Sequence, residues 1–333
     1  MVAMQTPVVA PVPRVARTAN PWARFAVRRL GRLVVSLWVL VTAAFLMIHL
    51  IPGDPVRGAL GSTATPELVA SKRESLGLND PLWEQYLHYL KGVFTGDFGT
   101  SLISQLSTAD IISQRLPATL WLAALGFLLA LAIAVPVGIG AGVLTRRGHG
   151  RRTELGFTTT SVVLGTIPDF MIGVALVYVF GVQLAVLPVA GNASPSAYVL
   201  PVVSLAIGPA AILARVIRVE MVTVLQQDFI RTARAKRLPN ARVYLSHALP
   251  NALTAALTLS GILLSAMVAG TVLVENVFAW PGLGSTIVSS ILNKDYPVVQ
   301  GIILMYGIGV LLINTIVDVA LALLDPRSMI REA

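Results

Sequence analysis

The sequence predicts an all-α integral membrane protein with six transmembrane helices and both termini cytoplasmic. Three observations carry that expectation. Six apolar runs are long enough to cross a bilayer, which takes about 20 helical residues. Basic residues gather at alternate connections between those runs. Of the 333 residues, 55% are hydrophobic and 12% charged, whereas in soluble domains about a quarter are charged.

The segment before the first run, residues 1–24, is rich in Pro, Ala and Val with scattered Arg. Its prolines oppose a regular helix, and it reads as a disordered cytoplasmic leader. The apolar runs follow at about 33–51, 118–144, 155–187, 198–217, 248–275 and 296–324. The first comes after Arg24, Arg28, Arg29 and Arg32, yet it has the length of a full span and no small-residue cleavage pattern behind it. Residues 25–51 are therefore a membrane anchor rather than a signal peptide. Residues 118–328 form the transmembrane core.

Lys and Arg assign the sides. The amino-terminal tail adds Arg14 and Arg17 to the four arginines above, and the second-to-third connection carries Arg146, Arg147, Arg151 and Arg152. The fourth-to-fifth carries Arg215, Arg218, Arg231, Arg234, Lys236, Arg237 and Arg242. Residues 188–197 hold no Lys or Arg, and residues 276–295 hold only Lys294. The positive-inside rule puts the three basic regions in the cytoplasm, in agreement with six spans. Residues 52–117 form an extracytoplasmic helical region whose basic residues are balanced by Asp54, Glu67, Glu74, Asp80, Glu84, Asp97 and Asp110. In it, Thr65-Pro66-Glu67 opens a helix that ends near Gly77, and Asp80-Pro81 opens another. There Trp83, Tyr86, Leu87, Leu90 and Phe94 recur at helical spacing, a stripe suited to the membrane surface, to neighbouring spans or to a delivery protein.

The basic residues flank apolar runs, so the net charge of +9 reads as membrane topology rather than as a nucleic-acid surface. With no cysteine in the chain, a disulfide framework, a thiolate metal site and a cysteine nucleophile are all excluded. A phosphate-cradling loop needs Gly-Lys, but Lys72, Lys91, Lys236 and Lys294 follow Ser, Leu, Ala and Asn. Intramembrane proteolysis fares no better. His49 and His247 lie at opposite ends of their spans, and Asp169 and Asp318 differ in depth by roughly 15 Å of helix rise. No catalytic, cofactor-binding or metal-ligating set emerges.

Residues 226–251, QQDFIRTARAKRLPNARVYLSHALPN, carry the densest information. Asp228 is the expected N-cap; Phe229, Ile230 and Ala233 share an apolar stripe; Arg231, Arg234, Lys236 and Arg237 fill the other faces; Pro239 ends the helix. With Arg231-Thr232-Ala233, Ala235 and His247-Ala248-Leu249-Pro250-Asn251, this segment resembles the cytoplasmic coupling loop, at about 226–247, of permease subunits of ABC importers in the dipeptide, oligopeptide and nickel branch. Further landmarks of that family run from about residue 25 to 328. They are Ile51-Pro52-Gly53-Asp54-Pro55, Leu76-Gly77-Leu78 through Gln85-Tyr86, Gly96-Asp97-Phe98-Gly99, Arg115-Leu116-Pro117-Ala118-Thr119, Ile167-Pro168 with Phe170, Gly270 through Glu275, Phe278 with Pro281-Gly282-Leu283-Gly284, Asp295-Tyr296-Pro297 and Asp325-Pro326-Arg327. One position departs: Arg237 stands where the family usually has glycine.

The resemblance implies a type I ABC importer permease fold in the inner membrane, paired with a second homologous permease, two ABC ATPase subunits that hold ATP and magnesium, and an extracytoplasmic substrate-binding protein. It places ATPase coupling on Asp228, Phe229, Ile230, Arg231, Thr232, Ala233, Arg234, Ala235, Lys236 and Arg237. Di- or oligopeptides are the expected cargo. Nickel chelates, haem, glutathione and sugars are alternatives, and a non-transporting membrane scaffold is the reading from another class. Asp169, beside Pro168 in the third run, either lines the translocation path and meets a cationic group, or is satisfied by neighbouring hydroxyls or held neutral. Arg215 and Arg218 are expected to snorkel, and Asp318 to pair with a nearby basic residue. Gly138, Gly140, Gly142, Gly301, Gly307 and Gly309 suit close helix packing, within the chain or against a second permease. The Phe278–Gly284 loop is either an interfacial cap or part of an outer gate.

Overall fold

The computed structural model describes residues 21–50, 55–61, 64–75, 77–146 and 150–324. The first landmark up to Asp54, Leu76, Arg147, the carboxyl-terminal Asp-Pro-Arg and leader residues 1–20 lie outside the described residues. Helix α1 (Pro21–Leu50) begins inside the expected leader, with a proline at its first position, where the missing N–H has no helical partner to lose. Short helices α2 (Pro55–Leu60), α3 (Pro66–Ser75) and α4 (Leu82–Thr95) lead to the 38-residue α5 (Thr108–Thr145). Helix α5 starts ten residues before the apolar run that announced it, so the expected boundary at residue 118 falls inside a helix. Apolar content reports the lipid-buried length, not the helix start.

The third run is broken. Helix α6 (Arg151–Thr166) and helix α7 (Asp169–Leu176), which continues as a π-turn to Gln183, are bent by 94° at Ile167 and Pro168. Next come a 3₁₀ turn (Pro195–Tyr198), α8 (Val199–Val224), α9 (Asp228–Ala235), α10 (Asn240–Arg242) and a π-turn (Val243–Ala248). Helices α11 (Leu249–Val277), α12 (Leu283–Leu292) and α13 (Tyr296–Leu324) complete the chain. Among the described residues five helices are long and apolar enough to cross a membrane, and the bent pair makes six.

Lipid does not drive helices together as water does, so close contact and polar ties must hold such a bundle. Helices α5 and α8 pack along their length. A Cβ on Gly138 or Gly142 would lie 2.7 Å from the Cβ of Ile217 or Met221, so any larger residue would push the pair apart. Gly301 faces Thr108 and Gly307 faces Leu40 in the same way, whereas Gly140 and Gly309 meet nothing within 4 Å. Four of the six glycines therefore serve packing within this chain.

The firmest polar tie is a fully buried carboxylate, Glu275. Its Oε1 accepts a hydrogen bond from the Thr119 hydroxyl (2.7 Å) and its Oε2 accepts from the backbone N–H of Gly284 (2.6 Å) and Ser285 (3.1 Å). The same Thr119 oxygen accepts from the Leu283 N–H at 2.8 Å. Together they satisfy the exposed amides at the start of α12, where the helix dipole favours negative charge. Gly282 and Gly284 leave room for the carboxylate: a Cβ on Gly284 would fall 2.9 Å from Oε2 and 2.5 Å from the Val272 Cα. Phe278 and Trp280 are buried beside this knot, and Trp280 donates from Nε1 to the Ala118 carbonyl at 3.1 Å. The aromatic pair thus anchors in protein rather than in the lipid interface, which removes the interfacial-cap reading of the Phe278–Gly284 loop.

A second buried carboxylate, Asp295, accepts from the Ser101 hydroxyl (2.5 Å) and the Leu102 N–H (2.9 Å), holding the loop after Gly96-Asp97-Phe98-Gly99 against the start of α13. An Arg29–Asp318 ion pair and a Gln300 Nε2 to Ala44 carbonyl bond (3.0 Å) join α1 to α13. Helix α4 rests on α1 through Thr42 and Tyr86 (2.8 Å), His49 and Gln85 (3.1 Å) and the rings of Phe45, Tyr86 and Tyr89. The expected α4 stripe divides: Tyr86 turns to α1, while Trp83, Leu87 and Phe94 remain exposed.

Glu275→Ala is expected to strand the Thr119, Gly284 and Ser285 donors, at a cost of about 1–3 kcal/mol for each that stays unsatisfied. The melting temperature of the purified protein should fall sharply, and less so for Glu275→Gln, which keeps an acceptor. An unchanged melting temperature for Glu275→Ala would show that the knot contributes nothing.

Candidate coupling surface and the break in the third span

Helix α9 has one face in the protein core. Ile230 is 0% exposed and Ala233 6%, and both pack in a cluster with Met221 and Val224 of α8, Val243, and Ala248 and Ala252 near the start of α11. The opposite face presents Asp228, Arg231, Thr232, Ala235, Lys236 and Arg237 to the surface. Phe229 is also exposed, at 40%, contrary to the expected Phe229–Ile230–Ala233 stripe. Adjacent residues on a helix are about 100° apart, and in a two-turn helix only one of Phe229 and Ile230 faces the core. The exposed Phe229 adds an apolar group to a basic surface.

Two further expectations are corrected. Gln227, with extended backbone, is the N-cap; Asp228 is the first helical residue and accepts from Arg231 at 3.1 Å instead of capping. The helix ends before Pro239 acts. Arg237 takes a left-handed φ of +56°; its N–H donates to the Arg234 carbonyl (2.8 Å) and the Leu238 N–H to that of Ala233 (3.4 Å). That is the Schellman arrangement, which favours glycine at the left-handed position. The side chain at Arg237 therefore carries a conformational cost of about 1 kcal/mol, and the family's usual glycine there has a backbone reason. Pro239 instead precedes α10.

The platform under α9 is tied down by polar contacts. Arg218 pairs with Glu154 at 2.7 Å and donates from Nε to Thr145 at 3.0 Å, joining α8 to α6 and α5. Arg146 donates to the Tyr244 hydroxyl at 2.6 Å. Arg218 is thus paired instead of snorkelling. Sequence reading did not select Glu154, Thr145 or Tyr244; the lone acid Glu154 among the arginines of the second-to-third connection was the available signal. Arg234 is partly buried, and its Nη2 has no hydrogen-bond partner among the described residues.

Asp169 lies elsewhere. The sixteen residues of α8 from Gly208 to Val224 set it about 24 Å from the α9 end of that helix. Ile167 (φ −69°, ψ 125°) and Pro168 (φ −59°, ψ 138°) are extended, and Asp169 opens α7 immediately after them. Proline removes a donor and disfavours helical backbone in the residue before it. The carboxylate lies between two other spans: a Cβ on Gly208 of α8 would be 3.1 Å from Oδ1, and one on Gly270 of α11 would be 3.6 Å from Oδ2. Among the described residues no group of three or more His, Asp or Glu is arranged to hold a metal ion.

Residues 134–330 match the family model of the binding-protein-dependent transport system inner membrane component, and residues 22–123 match the amino-terminal model of the same systems. The chain is 37% identical over 302 residues to the glutathione transport system permease protein GsiC of Escherichia coli strain K12, covering 91% of this chain and 97% of that protein. The Salmonella typhimurium strain LT2 protein of the same name matches with the same identity and coverage. Among solved structures, an inward-facing form of the MetNI methionine ABC transporter shares the fold, with a TM-score of 0.55 at 20% identity over 65% of this chain and 96% of that one. The chain is a multi-pass inner-membrane protein and belongs to the permease components of binding-protein-dependent ABC importers, in the dipeptide, oligopeptide and nickel branch.

Proposed function

We propose that this permease imports small peptides, driven by two ABC ATPase subunits that dock on α9, with a second permease completing the pathway and an extracytoplasmic binding protein delivering cargo. Both termini and α9 face the cytoplasm in this reading, as the basic residues favour. ATP and magnesium reside on the ATPases. The observation that carries the coupling role is the division of α9 into a core-bound face, Ile230 and Ala233, and an exposed face bearing Asp228, Phe229, Arg231, Thr232, Ala235, Lys236 and Arg237. A docked protein gripping the exposed face would move α9, and the buried pair would pass that motion to α5, α8 and α11. Partner binding then biases two arrangements of the spans, which is the content of alternating access.

For cargo, the similarity to glutathione permeases supports a peptide of that size, since glutathione is itself a modified tripeptide. The decisive experiment is reconstitution of the complex in proteoliposomes with its binding protein. ATP-dependent uptake of glutathione or of labelled di-, tri- or pentapeptides is expected. ATPase activity without uptake of any of them would turn the search to nickel chelates, haem or sugars. Failure to assemble with any ATPase would favour a membrane scaffold.

Charge reversal by Arg231→Glu together with Arg234→Glu, or bulk through Ala233→Trp, should reduce ATPase co-purification by roughly tenfold or more, the loss of about 1.4 kcal/mol of binding. Membrane insertion should be unaffected in both variants, and normal assembly would count against α9 as the dock. Arg237→Gly should relieve the left-handed strain by about 1 kcal/mol, a factor of roughly 5. Slower proteolysis of the 226–247 loop would report it; an unchanged rate would show that the arginine is accommodated without cost.

A further inference from the structure

We infer that Asp169 is a recognition site for a cationic amine on the cargo, placed in the path where the third span breaks. The inference rests on the importer reading and adds a chemical class of ligand to it.

Three other carboxylates held between the spans are satisfied. Glu275 has three donors, Asp295 has two, and Asp318 pairs with Arg29. Asp169 differs from these three: neither of its oxygens accepts a hydrogen bond from any described residue. Its position beside α8 and α11 makes that notable, because hydroxyl groups are close in sequence to both contact points. Thr166 precedes the break, Ser204 lies one turn from Gly208, and Thr271 follows Gly270. Each is already committed, donating to the carbonyl of Val162 (2.7 Å), Pro201 (2.9 Å) and Val268 (2.8 Å) respectively. The nearest basic residue along α8, Arg215, is seven residues past Gly208, roughly 10 Å of helix rise. Local hydroxyls and a fixed cation are therefore both set aside as its partner.

On two sides the carboxylate is approached by glycine. Gly208 and Gly270 bring no side chain to it, and Asp169 is only partly buried. The amides at the start of the eight-residue α7 favour negative charge there. A carboxylate held in a poorly solvated place attracts an opposite charge strongly. A primary ammonium suits this geometry, being compact, with three donors to share between two oxygens. A peptide amino terminus supplies such a group, and an amine-free cargo does not.

The natural absence of cysteine gives a direct test. A single reporter, Gly270→Cys, puts a thiol where a Cβ makes ordinary contact, 3.6 Å from Oδ2; Thr166→Cys, at the exposed edge of the break, serves if the first does not fold. In the complex assembled with cysteine-free partners, modification rates are measured with a trimethylammonium and with a sulfonate methanethiosulfonate reagent. The ratio of cationic to anionic rates should be about tenfold higher with Asp169 present than in Asp169→Asn, equivalent to about 1.4 kcal/mol of local potential. Equal ratios overturn the site, and so does failure of both reagents to react, since cargo would be excluded too. In uptake, Asp169→Asn should lower transport of an amine-bearing peptide by a similar factor relative to its N-acetylated form. Parallel effects on the two forms overturn the proposal while leaving the importer intact, whereas absence of ATP-driven uptake in the unsubstituted complex removes the importer reading itself.

Discussion

The bundle depends on the buried carboxylate of Glu275. A hydrocarbon environment gives helices no solvent-driven reason to associate, and it leaves an unpaired polar group with nowhere to turn. The knot uses that severity. One carboxylate on α11 takes donors from α5 and α12, and the Thr119 oxygen that serves it also accepts from Leu283. Loss of either side would strand the other. Around it the buried rings extend the attachment: Trp280 stands edge-on to Tyr198 at the start of α8, with centroids 4.6 Å apart, and Phe278 packs where a Cβ on Gly173 of α7 would be 3.0 Å away. Four transmembrane elements and α12 are thus referenced to one ionisable group.

Much of this was legible in the sequence as separate words but not as sentences. The six apolar runs gave the spans because lipid thickness fixes how many consecutive apolar residues a helix needs. The short motifs gave landmarks without saying which of them meet. Thr119 and Glu275 are 156 residues apart, and Ser101 and Asp295 are 194 apart, and no local pattern encodes such pairings. The structure explains the motifs in pairs: Pro-Ala-Thr serves Pro-Gly-Leu-Gly, and the loop after Gly-Asp-Phe-Gly serves Asp-Tyr-Pro.

The errors had local causes. Helix α9 is two turns long, so its apolar residues were compatible with more than one buried face, and the core under it selected Ile230 over Phe229. The visible Pro239 suggests where it ends, whereas a left-handed residue without glycine's freedom ends it sooner. The break in the third span was hidden for a related reason. Pro117 and Pro136 lie within α5 and Pro209 within α8, so an intramembrane proline does not by itself predict a 94° bend. Neighbouring helices and local adjustments can satisfy the carbonyls that a proline leaves free.

The break and the α9 surface are two ends of one mechanical element. Helix α8 carries Gly208 against Asp169, and from about two and a half to four and a half turns further on it carries Ile217, Met221 and Val224 into the cluster that seats Ile230 and Ala233. It is locked to α5 by the glycine contacts at 138 and 142, which leave no slack for sliding. Packed helices of this kind move as bodies rather than bend. Helix α6 is held to the same body at its other end by the Glu154–Arg218 pair. In the proposed coupling, the extended backbone at Ile167 and Pro168 is the natural place for a displacement at α9 to be taken up as a change of angle, because it is a point in the third span that the helical hydrogen-bond ladder does not stiffen. Asp169 is the first residue beyond that point. Its carboxylate lies against Gly208 of α8 on one side and Gly270 of the Glu275-anchored α11 on the other, so a change in the separation of those helices would be felt first at Asp169.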